Sequence, residues 1–396
     1  MALSETLTIG PDRSGRILAI DEGVVADKPV PGAHVLACPN GNIVPGNVCA
    51  HTHLYSGLVP YDMPPAFPPP LTFLQILERK WWRMDRALDA ESLRASTRDY
   101  VANALLAGTT AIVDHHESPS LIEGSLTILA DACAEMGIRA LLCYGATERN
   151  GGFEEAIRGL DECATVSPTP LLRGLIGLHA SFTVSDDTIR EAGNRARAMG
   201  TVLHVHVAEA QSDVADAHER GYDGPLERLI ALDALVPGSI VVHGTYLTPD
   251  QVRRIDALGC WMVHNPRSNE GNGVGYASSL SSGKQVALGT DGWNADMAEE
   301  QLALERLAKA NGDTRATGRL EAGHHLIGER FGLGKAPLEP GAPGDAVVRI
   351  DGHVAHVVVD GRVVVTNGTL TAADTILIRS EARSQAERLW TRMKAL

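Results

Sequence analysis

The stretch VCAHTHLYSGLVPYD, Val48 to Asp62, ends a short apolar run with two histidines and then opens into a loop. In an extended strand, residues i and i+2 face the same way, so His51 and His53 share one face and can reach one metal ion. A lone His-x-His pair decides little. Its weight depends on what stands at the ends of the other apolar runs.

Those runs recur along the chain. NVCAHTH ends at His53, GTTAIVDHH at His116, RALLCYGAT at Thr147, LLRGLIGLHA at Ala180, TVLHVHVAE at Glu209, SIVVHGTYL at Leu247, CWMVHNP at Pro266 and QVALGTDG at Gly292. Each is short and rich in aliphatic or β-branched residues, which suits a strand buried on both faces. Between them, SLTILADACAEMG and DDTIREAGNRARAMG carry apolar residues at helical spacing and end in glycine. TPDQVRRIDALG opens on a capping threonine. Strand and helix alternating in this way predict an α/β fold, a (β/α)8 TIM barrel, with an open doubly wound sheet as the alternative. The barrel is preferred because the polar residues gather at the carboxyl ends of the runs, the face where barrel sites assemble.

The two ends of the chain read differently. Residues 1–48 and 338–372 contain short β-like pieces and glycine turns, and are expected to pair into a small flanking β-sandwich. Residues 49–337 are expected to form the barrel, and 373–396 a helical tail on the surface. The loop after the first strand is long, with the proline-rich MPPAFPPPLT followed by Trp81 and Trp82. Such a loop at a barrel mouth serves as a lid or substrate wall. Trp82 is expected to contact substrate; the alternative is that the tryptophans only pack a helix onto the barrel.

The net charge of −14 argues against nucleic acid or an anionic membrane as partner. The six cysteines form no CxxC pair, so neither a zinc knuckle nor a disulfide framework is suggested. No signal-peptide pattern opens the chain, and no apolar run is long enough to span a bilayer. A cytoplasmic location and a small-molecule substrate are therefore expected.

The chemistry rests on a constellation. His51 and His53 close the first run, His206 and Glu209 the fifth, His243 the sixth, and Asp291 the eighth. Imidazoles with one carboxylate suit zinc or ferrous iron. The expected ligands of one divalent metal, zinc before iron(II), are His51, His53, His206 and Asp291, with a position left for water. His204 is assigned to the barrel interior, and His115 and His116 are open candidates for substrate contact. The fourth run offers Arg173 but no lysine that could be carboxylated to bridge two metals. Arg267, just past the seventh run, could present a guanidinium to a substrate carbonyl or carboxylate.

The motifs HTHLYSGL, WWRMDRALD, DHHESP, HASFTV, HVHVAE, HNPRSN, VGY and LGTDGWNADM, in this order, resemble the amidohydrolase superfamily over nearly the whole chain. The likeness is to the branch of cytosine deaminase, guanine deaminase and the triazine hydrolases, and within it to the SsnA-type aminohydrolases. This resemblance implies a barrel with a flanking β-sandwich, one divalent metal, a homodimer and hydrolytic deamination. It carries metal binding to His51, His53, His206 and Asp291, and proton transfer to Glu209. His243 would contact the water or the intermediate, and His179 the substrate. Ser268 and Asn269 would shape the seventh-strand loop, with Asn269 among the substrate contacts. The expected reaction releases ammonia from an aminated nitrogen heterocycle, purine- or pterin-like. The alternatives are cleavage of a cyclic amide on the same scaffold, or a metal- or ligand-binding barrel without catalysis.

Overall fold

In the computed structural model, which describes residues 5–9, 15–22, 36, 38, 40–333 and 337–396, each of the eight apolar runs contains a barrel strand. In chain order these are Asn47–Thr52, Thr109–Asp114, Arg139–Leu142, Leu172–Gly174 with Ile176–Ala180, Leu203–Val207, Ile240–His243, Trp261–His264 and Val286–Leu288. Successive strands pair in parallel. Most are buried along their whole length, as their unbroken apolar character requires.

The fourth strand comes in two pieces. Leu172–Gly174 pairs with the third strand and Ile176–Ala180 with the fifth. Between them Leu175 donates its N–H to Leu142 O, and Ile176 donates to Val202 O.

The last seam joins the eighth strand to the first. Thr290 and Asp291 both donate backbone N–H groups to His51 O, at 2.9 and 3.1 Å, and His53 donates to Asp291 O at 3.2 Å. The approach is close at Gly289, where an added Cβ would stand 2.8 Å from both His51 N and His51 O. Only glycine fits there. The sheet is thus a closed barrel and not an open doubly wound one.

The helices follow their local signals. Thr248 caps Pro249–Ala257 by accepting the Gln251 N–H, and Gly137 ends Ser125–Met136 at φ 78°. The C-terminal helix, Thr375–Ala395, is more than a surface tail. One face buries Ile378, Ala382, Ala386, Leu389, Trp390 and Met393. Trp390 donates its indole N–H to Tyr61 O at 2.6 Å, and Arg392 donates to Ala87 O at 2.7 Å. The helix therefore braces both ends of the long first loop.

The flanking antiparallel sheet is drawn from both chain ends. Its strands run in the order Thr369–Leu370, Arg362–Thr366, His353–Val359, Ala346–Ile350 and Gly41–Pro45. A hairpin of Glu5–Ile9 and Ile17–Glu22 meets it where Arg16 bridges Pro343. Residues 1–4, 10–14, 23–35, 37 and 39 lie outside the described residues, so most of the expected amino-terminal part of the sandwich does too. Among the described residues, no helix is long and apolar enough to cross a membrane.

Arg139 bolts sheet to barrel. It is 1% exposed and forks onto Asp345 at 3.0 and 3.1 Å, with Asp360 at 3.2 Å and Pro170 O at 2.6 Å. Removing one partner of a buried pair strands the others. Arg139→Met is expected to lower stability by about 3 kcal/mol, read from the denaturant midpoint. An unchanged midpoint would remove Arg139 from the junction.

Candidate metal centre and cleft

The first strand presents His51 and His53 on one face, and Asp291 meets them across the seam. His53 Nε2 lies 2.8 Å and His51 Nε2 3.4 Å from Asp291 Oδ1. His206 Nε2 stands 3.3 Å from His51 Nε2. His243 joins the group, since one donor atom from each of His51, His206, His243 and Asp291 falls within a 4.8 Å cluster.

The outer nitrogens fix which face of each ring is free. His53 Nδ1 donates to His115 O at 2.5 Å, His206 Nδ1 to His179 O at 2.6 Å, and His243 Nδ1 to Asn269 Oδ1 at 3.0 Å. In a neutral imidazole the other nitrogen then carries a lone pair. Several lone pairs and a carboxylate oxygen converge on one buried spot, and His243 Nε2 has no hydrogen-bond partner among the described residues. Such crowding of acceptors fits a divalent cation, and the borderline nitrogen and oxygen donors suit zinc or ferrous iron. His51 is held differently, by His204 Nε2 at 3.0 Å from its Nδ1, with Cys143 Sγ 3.5 Å behind His204. His204 is interior, as expected, and it also supports the ring in front of it.

Burial sets the charge states. It lowers His51 to about 3 and pushes His206 and His243 down as well, so these rings are neutral and able to ligate; at His53 the Asp291 carboxylate outweighs burial and raises the ring to about 9, so it carries a proton that a metal would displace. Burial alone would raise Asp291, but hydrogen bonds from His51 and His53 hold it well below the carboxylate range. Ser268 donates its hydroxyl to Asp291 Oδ2. Glu209 has no such support. Burial, reinforced by the charges of Asp291, Asp213 and Glu117, drives its carboxyl well above the usual range. Its Oε2 lies 3.5 Å from His243 Nε2. The backbone is strained here too: Ala208, His243 and Asp291 adopt φ of 52°, 70° and 54°. Each costs about 1–3 kcal/mol, and all three lie at or just beyond strand ends facing the site.

Beside this cluster lies a partly open cleft. Phe73, Leu77, Trp81 and Trp82 wall it from the first loop, with Phe182 and His179 opposite. A π-helical turn spans Leu77–Trp81, and Trp82 donates its N–H to Leu77 O. The extra residue in that turn brings both tryptophans to the cleft. The Arg149 guanidinium lies 4.5 Å from the Trp82 ring centroid.

Two of the expected substrate contacts, Arg267 and Asn269, are not among the residues that line the cleft. The Arg267 guanidinium turns away from the cleft to Glu300 at 2.5 Å, Glu299 at 2.8 Å, Asn294 Oδ1 at 3.0 Å and Asn294 O at 2.7 Å. Its donors are consumed in tying helix Pro266–Gly271 to helix Met297–Asn311. Asn269 is 1% exposed and sits beneath His243, so it orients that ring instead of meeting substrate. His116 faces away, to Ser118 Oγ at 2.7 Å, whereas His115 points inward. The sequence reading missed Glu117 as a lining residue. A signal was available: Glu117 lies three residues past Asp114, just as Glu209 lies three past His206.

The chain matches the amidohydrolase family over residues 42–364. The chain belongs to this family. It is 28% identical over 395 residues to a 5'-deoxyadenosine deaminase of Methanopyrus kandleri, covering 88% of this chain and 86% of that protein. It is 26% identical over 329 residues to an 8-oxoguanine deaminase of Pseudomonas aeruginosa, covering 76% and 72%. Among solved structures, an adenosine deaminase from Xanthomonas campestris with bound zinc superposes with a TM-score of 0.80. That match has 23% identity and covers 98% of this chain and 94% of that one. This amidohydrolase thus shares its overall fold with that structure.

Partners behind a metal ligand set its orientation, and losing one costs about 10- to 100-fold in metal affinity. His204→Phe is expected to fold and to hold metal weaker by that factor, read by chelator competition. Undiminished affinity would reduce His204 to core filling.

Proposed function

We propose that the protein is a metal-dependent hydrolytic deaminase acting on an aminated nitrogen heterocycle, most simply one that is purine-like. The observation that carries this reading is the placing of Glu209, a half-buried carboxyl in the cleft lining with Oε2 3.5 Å from His243 Nε2 and no cation beside it among the described residues, where desolvation and neighbouring anions favour the protonated form. Opening an amide does not require protonation of a ring nitrogen, whereas displacing an amine from an amidine-like carbon does. The deaminases among the relatives, and the zinc in the Xanthomonas campestris structure, support the same reading.

A divalent metal, zinc by this analogy, held by His51, His53, His206 and Asp291, supplies the Lewis acidity that makes water nucleophilic near neutral pH. Glu209 gives its proton to the ring nitrogen beside the carbon that carries the amine. The attacking water forms the new C–O bond and gives one proton to Asp291. His243 orients that water through its Nε2 lone pair. Glu209 then takes the hydroxyl proton, and Asp291 passes its proton to the amine. The C–N bond breaks, ammonia leaves, and both carboxyls return to their starting forms. Two carboxyls with separated pKa values make this exchange workable: Asp291 is held low and Glu209 high.

The reaction needs Glu209 protonated, a form present below its raised pKa and lost above it. We expect kcat/KM to fall as pH rises through that value. Glu209→Gln is expected to keep its metal and to lose about 10²- to 10⁴-fold in turnover. Full activity in that variant on a verified substrate would refute the mechanism. His53→Ala is expected to lower bound metal per chain, and an unchanged stoichiometry would take His53 out of the ligand set. The reaction class itself is tested by ammonia release from aminopurines, pterins, pyrimidines and triazines, with metal analysis of the same preparation.

A further inference from the structure

Glu117 stands just past the second strand, and neither the ligand set nor the proton transfers use it. It is 3% exposed, yet it lines the cleft with His179, Trp82 and Glu209. Its surroundings keep a negative charge there without consuming it. Arg149, cationic at any working pH, approaches Oε2 only to 3.8 Å and spends its hydrogen bond on Asp85 at 2.9 Å. His179 Nε2 is 3.9 Å from Oε2, beyond hydrogen-bond reach. His115 Nδ1 lies 3.1 Å from Oε1, but off the line of a hydrogen bond, and both atoms are left without a hydrogen-bond partner among the described residues. The space is reserved as well. An added Cβ at Gly145 would stand 2.8 Å from Glu117 Oε1 and 2.3 Å from His115 Cε1.

A buried carboxylate oxygen with no donor is expensive, because an unmade hydrogen bond to a charged group forfeits its full desolvation cost. Oε1 is turned into the protein against His115 and Gly145, and Oε2, with Arg149 and His179 no nearer than 3.8 and 3.9 Å, is the oxygen left to the cleft that Glu117 lines. We infer that Glu117 reads the substrate: it accepts a second N–H or O–H, distinct from the ring nitrogen that Glu209 protonates. The inference rests on the deaminase reading for the orientation of the ring. The donor is a hydrogen on nitrogen or oxygen, supplied either by a ring N–H of a free base or by a sugar hydroxyl of a nucleoside. In both cases the substrate is recognised through a hydrogen-bond donor, and N-alkylation without a hydroxyl removes it.

The test compares the metal-loaded wild type with Glu117→Gln on adenine, 9-methyladenine and adenosine. It measures bound metal, ammonia release and equilibrium binding of each probe. The variant is expected to retain its metal and to bind the donor-bearing probe about 10- to 100-fold more weakly, with a rise in KM larger than the fall in kcat. The wild-type preference over 9-methyladenine should collapse in the variant. A wild type that prefers adenine, with adenosine as poor as the methyl compound, identifies the ring N–H. A preference for adenosine identifies the sugar hydroxyl. Equal losses on all three probes would make Glu117 a structural charge and overturn the inference. So would binding within twofold of wild type, a drop in metal content, or failure of the wild type to bind any probe. Absence of ammonia from a wild type that still binds the probes would sink the deaminase reading alone, because the binding ratios report on Glu117 independently.

Discussion

Asp291 is bonded through its backbone to the strand whose side chains its carboxylate meets. Its N–H goes to His51 O, and its own carbonyl receives the His53 N–H. The same residue therefore closes the barrel and places an oxygen 2.8 Å from His53 Nε2. A left-handed backbone at Asp291 lets both happen at once. Were the seam to open, the first strand would lose its register against the eighth, and the two ends of the ligand set would part. Site geometry and barrel closure are in this sense one interaction.

Around that seam, the rings are aimed from behind. Carbonyls of the neighbouring strands take the outer N–H of His53 and His206, so the barrel's own backbone selects their tautomers. His51, innermost of the group, meets a side chain instead, His204. The neutral state of His51, His206 and His243 follows from burial, whereas the charge of His53 and the opposite states of the two carboxyls follow from their partners. Asp291 is surrounded by donors. Glu209 faces burial and other anions. Chemically identical types of group are thus set to opposite tasks by position alone.

Much of this was legible in the sequence. The period-2 pairing of His51 with His53, the rhythm of eight apolar runs, and the polar residue closing most of them are local patterns, and local patterns survive translation into structure. What was not legible depends on partners far along the chain. Arg267 reads as a site residue until Glu300, on a helix 33 residues later, claims its donors. Asn269 sits in a motif that faces the site, but one helical turn aims it under His243. Glu117 was hidden because a carboxylate beside two histidines reads as a loop residue. Only the fold reveals that Arg149 and Trp82 enclose it. The first loop was the least readable element, since its shape comes from a π-helical turn and from a helix at the other end of the chain.

That helix bears on the order in which the molecule is completed. The cluster of imidazoles and Asp291 draws only on residues between the first and eighth strands. The cleft wall of Phe73, Leu77, Trp81 and Trp82 hangs on a loop that Trp390 pins at Tyr61, 329 residues away in sequence. Contacts so distant in the chain form late, because their loop-closure cost comes before any gain. On a ribosome, where segments emerge from the amino terminus onward, the reaction centre can take shape while its wall is still unsupported. Selectivity is then the last property this protein acquires, and the first it would lose if the final helix came away.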